Sequence, residues 1–156
     1  MFTRIVSGGQ TGVDRAALDA ALALGLPCGG WCPRSRRAED GPIDPRYPLA
    51  ETPRPDYPQR TEWNVRDSDG TLVLTLGPPD RGTALTVRLA AKLGRPCLLV
   101  NLAAAPRADD VRAWAENHRV RVLNVAGPRE NSSPGAYAAA ADFLRRLFTP
   151  PSAGTP

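Results

Sequence analysis

The stretch SGGQTGVDRAALDAALALG, residues 7–25, decides how the chain begins to fold, because it joins a short apolar run to a helical pattern. The run at residues 2–6 predicts a strand, and the apolar spacing after Gly12 predicts a helix over residues 13–24. Glycines weaken any regular element that contains them. The glycine-rich join is therefore a tight turn in which bare backbone is needed.

Strand and helix patterns alternate along the rest of the chain. The other predicted strands lie within residues 25–31, 70–77, 96–102 and 120–127, and the other predicted helices span residues 60–69, 83–93, 108–117 and 134–148, the last capped by Ser133 and Pro134. This alternation predicts an α/β fold, a Rossmann-like, doubly wound and mostly parallel sheet of about five strands with helices on both faces. Ligands of such folds bind beyond the carboxyl ends of the strands.

Length and composition limit the class of protein. The 156 residues suit a single domain, residues 1–149, followed by a flexible tail, residues 150–156. No apolar run approaches the ~20 residues of a membrane span, and we expect a cytoplasmic protein. The net charge is +4, and all but one of the twenty basic residues are arginines. Either compositional bias or an oxyanion partner explains that excess.

Three cysteines, Cys28, Cys32 and Cys97, form neither a disulfide framework nor a metal site by their spacing. The chain has one histidine, so we expect buried thiols and no structural metal. The 32–59 segment is rich in proline and lacks periodicity, which is typical of a functional or disordered loop.

The glycine loop is the first candidate binding site. A helix start exposes unpaired N–H groups and a partial positive charge, and glycines let backbone wrap an anion. The loop is neither G-x-G-x-x-G nor a Walker loop, so it predicts a phosphate cradle of another type. A tight turn without ligand remains the alternative. Thr11 and Asp14 also resemble a capping box. The candidate residues are Ser7, Gly8, Gly9, Gln10, Thr11, Gly12, Asp14 and Arg15.

Two further groups could complete such a site. Gly82 and Thr83 are placed to cap the helix that follows the central strand. Aromatic residues beside arginines can stack on a heteroaromatic ring while the arginines hold its phosphate. A surface helix or a solvated loop would have the same composition. This second group comprises Trp31, Arg60, Glu62, Trp63, Asn64 and Arg66.

The segments SGGQTGVDRAALDAAL, GGWCPRSRRAEDGPIDPRYPL, ETP, RTEWNVRDSDGTLVL, GTALT and VLNVAGPRE resemble the molybdenum cofactor carrier proteins over about residues 5–144. They resemble more distantly the SLOG group, which includes the lysine-decarboxylase-like phosphoribohydrolases that activate cytokinins. The resemblance implies a cytoplasmic homo-oligomer, a dimer or tetramer, that binds the molybdenum cofactor. This phosphorylated pterin would be stored, protected or transferred to molybdoenzymes or received from the cofactor-biosynthesis machinery. Apolar residues of the last helix, Leu144, Leu147 and Phe148, would support the oligomer.

Comparison with the distant enzymes separates the functional hypotheses. Arg60, Gly82 and Thr83 match the enzyme pattern, but Thr86 stands where those enzymes carry a glutamate. A threonine hydroxyl cannot do general acid–base work near neutral pH. A carrier of phosphorylated pterin is therefore favoured over an enzyme that hydrolyses nucleoside monophosphates. The enzyme would need Asp14, Glu62 or Asp67 as its acid. A nucleic-acid binder ranks last, because no recognised motif accompanies the charge.

Overall fold

The computed structural model describes residues 1–151, so the predicted tail at residues 150–156 lies almost entirely outside the described residues. Five strands of the described chain form one parallel sheet, and two short ones pair separately. The strands are β1 (Arg4–Val6), β2 (Cys28–Gly29), β3 (Trp31–Cys32), β4 (Ala50–Glu51), β5 (Gly70–Thr75), β6 (Cys97–Asn101) and β7 (Val122–Ala126). The main sheet has the order β2-β1-β7-β5-β6 with every pairing parallel, which confirms the predicted fold class.

Helices cover both faces of the sheet. They are α1 (Val13–Ala23), α2 (Tyr57–Arg66), α3 (Arg81–Lys92), α4 (Ala108–Asn117) and α5 (Ala136–Phe148). One layer contains α1, α4 and α5, in which α5 packs on α1 and on α4, and its core includes Leu72 and Leu74 of β5. The other layer contains α3, which contacts β5 and β6, and α2, which packs on α3. Every residue of β5 is buried, as expected for a central strand between two helical layers.

Two helix starts differ from the predictions because other side chains cap them. Helix α2 was expected over residues 60–69, but it begins at Tyr57, where the Asp56 carboxylate accepts a hydrogen bond from the backbone N–H of Gln59. Ser133 and Pro134 do not cap α5. Its N-cap is Gly135, and the Glu130 carboxylate accepts from the N–H groups of Gly135 and Tyr137. A loop glutamate thus satisfies donors that the helix start leaves unpaired.

The proline-rich segment is held in place by one arginine. The guanidinium of Arg36 donates to the backbone carbonyls of four residues, Ile43, Asp44, Tyr47 and Leu49. Ile43 and Tyr47 pack with Leu18 and Cys32 in a second, small core. The parallel pair β3–β4 joins the two ends of this segment. Lack of periodicity therefore reflects a loop folded on side-chain hydrogen bonds rather than on a backbone ladder.

The apolar stripe of α5 does not form a free surface. Leu144, Leu147 and Phe148 are buried in the main core, so the prediction that they mark an oligomer interface is wrong. Large apolar side chains are instead exposed on α3 and β6, where Val87 and Leu99 keep 37% and 47% of their surface, and at the end of α1, where Leu22 and Leu24 keep 43% and 44%. Within residues 1–151, no helix is both long and apolar enough to cross a membrane.

The cysteines are free thiols in three different places. Burial raises the pKa of each of them above its ordinary value. In the part of the chain that the structure describes, no three His, Cys, Asp or Glu side chains form a group suited to a metal ion.

Candidate functional site

A pocket of about 390 Å³ lies beyond the carboxyl ends of β1, β5 and β7. Parallel strands place the loops that follow them at one edge of the sheet, which is where ligands of such folds bind. The wall of the pocket comes from four segments, within residues 8–14, 57–64, 80–86 and 124–132. The pocket is therefore formed by the glycine loop, α2, the start of α3 and the loop after β7.

Fewer than half of the predicted site residues line this pocket. Those that do are Gly8, Gln10, Asp14, Arg60, Asn64, Gly82 and Thr83. The pocket lining does not include Ser7, Gly9, Thr11, Gly12, Arg15, Trp31, Glu62, Trp63 or Arg66. The glycine loop, α2 and the start of α3 do meet at one place, but the outer face of α2 points elsewhere.

The N–H groups of the glycine loop are largely directed at protein acceptors. The backbone N–H of Gln10 donates to the Asp14 carboxylate at 3.4 Å, and that of Thr11 to the Gln10 side-chain oxygen at 3.0 Å. The N–H of Val13 donates to the Pro128 carbonyl at 3.2 Å. These three amides cannot also converge on an anion. The cradle expected from the backbone of this loop is wrong in this respect.

The capping box predicted from Thr11 and Asp14 is also absent. Gly12 is the N-cap of α1, and no side chain caps it. The Thr11 hydroxyl instead donates to the Glu39 carboxylate and accepts from the backbone N–H of Glu130. Thr11 thus ties the proline-rich segment, which contains Glu39, to the loop after β7.

The loop glycines are required by packing. A β-carbon at position 8 would overlap the Arg60 guanidinium. One at position 9 would lie 2.6 Å from Leu49 and 2.9 Å from Ile43, and one at position 12 would overlap the Pro128 carbonyl. Gly9 and Gly12 also adopt positive φ values, 79° and 77°. A tight turn, the alternative to a ligand cradle, accounts for these three residues.

Arg60 and Asp14 form a buried ion pair in the pocket. The guanidinium Nη1 of Arg60 lies 3.6 Å from Oδ2 of Asp14 and donates to the Gly8 carbonyl at 2.9 Å. Burial raises the pKa of Asp14 to about 6, although the positive charge of Arg60 and the N–H of Gln10 act in the opposite direction. The carboxyl group therefore titrates close to neutral pH.

Helix α3 starts at the opposite wall. Its cap is Asp80, whose carboxylate accepts from the N–H of Thr83 at 2.8 Å, rather than the predicted Gly82 and Thr83. The Thr83 hydroxyl and the Gln10 side-chain amide nitrogen are buried and have no hydrogen-bond partner within residues 1–151. Buried polar groups in proteins nearly always have a partner. Both residues line the pocket, so a ligand with polar atoms would satisfy them.

The pocket lining also includes Tyr57 and Arg129, neither of which the sequence had singled out. The guanidinium carbons of Arg60 and Arg129 lie 5.3 and 5.2 Å from the centre of the Tyr57 ring, and Arg37 approaches the same ring from outside the pocket at 4.9 Å. Arg129 follows the last strand, and this position alone marks it as a candidate in the predicted fold. Tyr57 carried no such signal, because it lay inside the segment read as an irregular loop.

The tryptophans lie apart from the pocket. The rings of Trp31 and Trp63 meet edge to face with centres 4.7 Å apart, and Trp31 Nε1 donates to Asp67. The Asn64 side chain pairs with both backbone groups of Trp31. Arg66 stacks on Trp63. This cluster fastens β3 to α2, and the ring contacts that were expected to serve a ligand serve the fold.

The remaining candidates have partners elsewhere. Arg15 pairs with Asp40 and donates to the Gly9 carbonyl, and Glu62 lies 3.9 Å from Lys92. The Ser7 hydroxyl contacts the carbonyls of Asp14 and Val125. Of the three acids considered for catalysis, only Asp14 lines the pocket.

Fold and pocket together define a Rossmann-like α/β protein whose pocket is lined by both cationic and anionic side chains. The model of the circularly permutated YpsA SLOG family matches residues 5–148, and the chain belongs to that family. The crystal structure of a "putative molybdenum carrier protein" from Syntrophus aciditrophicus SB is similar throughout. Its sequence is 43% identical, the similarity covers 95% of this chain and 96% of that one, and the TM-score is 0.89. No curated protein matches the chain.

Proposed function

We propose that the chain binds the molybdenum cofactor, a phosphorylated pterin, as cargo in this pocket, and stores, protects or transfers it. The observation that carries the proposal is the Thr83 hydroxyl, which is buried without a partner among the described residues and lies in the first turn of α3. The pocket is also lined by three arginines, Arg60, Arg81 and Arg129. Similarity to a protein named as a "putative molybdenum carrier protein" supports a cargo that contains molybdenum.

The chemistry of the lining suits such a cargo. A phosphate monoester carries about 1.5 to 2 negative charges at neutral pH, and a helix N-terminus and guanidinium groups both attract it. A volume of about 390 Å³ lies within the ~300–1,000 Å³ usual for small-molecule sites.

The direct test is native mass spectrometry of the protein purified from its own host. We expect a bound mass equal to a phosphorylated pterin, with or without molybdenum. A nucleotide mass instead would contradict the proposal. The two masses differ enough for one spectrum to decide between them.

One observation favours a second candidate, hydrolysis of a nucleoside monophosphate to a free base and a sugar phosphate. Asp14 lines the pocket with a pKa of about 6, which suits a general acid near neutral pH. Thr86 stands where the distantly similar phosphoribohydrolases carry a glutamate. Its hydroxyl donates a hydrogen bond to the Gly82 carbonyl. Release of base at about 1 per second, lost in Asp14→Asn, would support this enzyme. Absence of release would contradict it.

We also propose that the chain forms a homo-oligomer. Exposed Val87 and Leu99, on neighbouring elements at the open edge of the sheet, support a contact there. Light scattering at micromolar protein should give a mass of two or four chains, and a monomer would contradict it.

A further inference from the structure

A buried carboxylate is an unexpected part of a pocket that takes an anion. Asp14 keeps 6% of its surface and Arg60 keeps 8%, and both line the pocket. An anion that reaches Arg60 must therefore approach Asp14 as well. Like charges at such short range repel strongly where water is scarce.

The other charges around Asp14 do not remove this repulsion. Arg15 follows it on α1, Arg60 faces it from α2, and Arg129 faces it from the loop after β7. Arg15 is paired with Asp40, and the Nε of Arg129 lies 3.9 Å from the Glu39 carboxylate. Each of these three cations thus has a carboxylate of its own. Asp80 and Arg81, at the start of α3, also line the pocket and add one charge of each sign. The charges around Asp14 are thus balanced before any ligand arrives, and an anion that binds at Arg60 meets the negative charge of Asp14 directly.

We propose that Asp14 takes up one proton from solvent when the pocket binds an anion, so that anion and proton bind together. This inference rests on the proposed function, in which the ligand brings a phosphate to the pocket. The proton adds to the free lone pair of the Asp14 carboxylate and no other bond is made or broken. The neutral carboxyl then offers an O–H donor to the anion, and the charge of Arg60 becomes available to it.

The environment of Asp14 makes this protonation easy. Burial already places its pKa at about 6, so at pH 7 the neutral form is only about tenfold less populated than the ionised form. Binding should therefore be tighter in mildly acid solution and weaker in alkaline solution. Asp14 would act as a specificity residue that favours ligands with strong hydrogen-bond acceptors.

Sulfate is a suitable probe, because it stays fully ionised throughout this pH range and contributes no titration of its own. We would titrate the full chain with sulfate by calorimetry at constant ionic strength, between about pH 5 and pH 8. The dissociation constant should rise up to about tenfold per pH unit above pH 6 and level off below it. Repeating the titration in buffers of different ionisation enthalpy should reveal an uptake approaching one proton per sulfate at the alkaline end.

Two variants test whether Asp14 is the group that takes up the proton. Asp14→Asn should bind sulfate with an affinity that does not change with pH and without proton uptake. Asp110→Asn, which removes an exposed carboxylate on α4, should behave as the wild type. If Asp14→Asn does not fold, the buffer dependence of the wild type decides alone. Sulfate binding that is independent of pH in the wild type contradicts this inference only. No sulfate binding at any pH contradicts the proposed function itself.

Discussion

Gly9 lies so close to Ile43 that a β-carbon at position 9 would sit 2.9 Å from the Cδ1 atom of Ile43. The contact belongs to the small core that Ile43 and Tyr47 form with Leu18 and Cys32, and not to the pocket. A positive φ of 79° adds a second reason for glycine at this position. Residues that look like a ligand cradle in the sequence therefore support the packing of an adjacent loop.

Replacing Gly9 by alanine should reduce stability and leave the ligand affinity of the folded protein unchanged. Positive φ costs about 1–2 kcal/mol and overpacking about 1–3 kcal/mol. Gly25→Ala is the matched control, because Gly25 also has positive φ, but a β-carbon there would meet no atom of residues 1–151 within 4 Å. Urea denaturation should show the larger loss for Gly9→Ala. Equal losses would mean that the close contacts with Leu49 and Ile43 cost no free energy of unfolding.

Thr83→Val should weaken binding of inorganic phosphate about fivefold to tenfold, since one hydrogen bond contributes about 1 kcal/mol. The variant should be as stable as the wild type, because no protein partner among residues 1–151 loses a bond. Thr86→Val is the control, since that hydroxyl already donates to the Gly82 carbonyl. Calorimetry that gave both variants the same affinity would exclude the Thr83 hydroxyl as a ligand contact.

Asp14 should make stability fall with rising pH. Its pKa is raised from 3.8 to about 6 on folding, so the folded chain holds a proton that the unfolded chain has lost between these values. Stability from this group is full below about pH 4 and is lost as pH rises through 6, by about 3 kcal/mol. The difference between wild type and Asp14→Asn in denaturation experiments isolates the effect. A difference that stays constant from pH 4 to 7 would contradict the burial of an ionisable Asp14.

Tyr47 and Tyr137 should be coupled through Asp19. Their hydroxyls donate to the two oxygens of its carboxylate, and burial raises the pKa of Tyr137 to about 12, which keeps it a donor. Each Phe replacement should cost about 1.5–3 kcal/mol, as for hydrogen bonds to a charged group. The double variant should lose less or more than the sum, as measured by a double-mutant cycle. Strict additivity would show that the two bonds form independently.

The sequence supports the fold more firmly than the site. Helix α4 occupies the predicted residues 108–117, and the glycine-bounded run at residues 70–77 contains the central strand β5. Apolar periodicity reflects burial, so these elements could be predicted from the local sequence, without knowledge of the tertiary contacts. The apolar spacing in residues 134–148 also predicted helix α5 correctly. The stripe could not show that α1 and α4 cover Leu144 and Leu147, since that depends on tertiary contacts.

The site was predicted only in part, because the composition of a loop does not distinguish residues needed for packing from residues needed for binding. A glycine that is needed for a positive φ, such as Gly9, cannot be told from a glycine of a phosphate cradle by sequence alone. The place of Arg60 in the pocket followed from resemblance, and Arg129 could have been found from its position after the last strand. Tyr57 could not, because the start of α2 depends on capping by Asp56.

The Arg60 guanidinium fills the space that a β-carbon at position 8 would need, although the two residues lie 52 positions apart in the chain. We therefore expect positions 8 and 60 to change together among related proteins. A relative that gains a side chain at position 8 has no room for a guanidinium from position 60, and we expect it to carry a shorter residue there. Such a paired exchange would mark lineages in which the pocket has given up its buried cation and, with it, an anionic cargo.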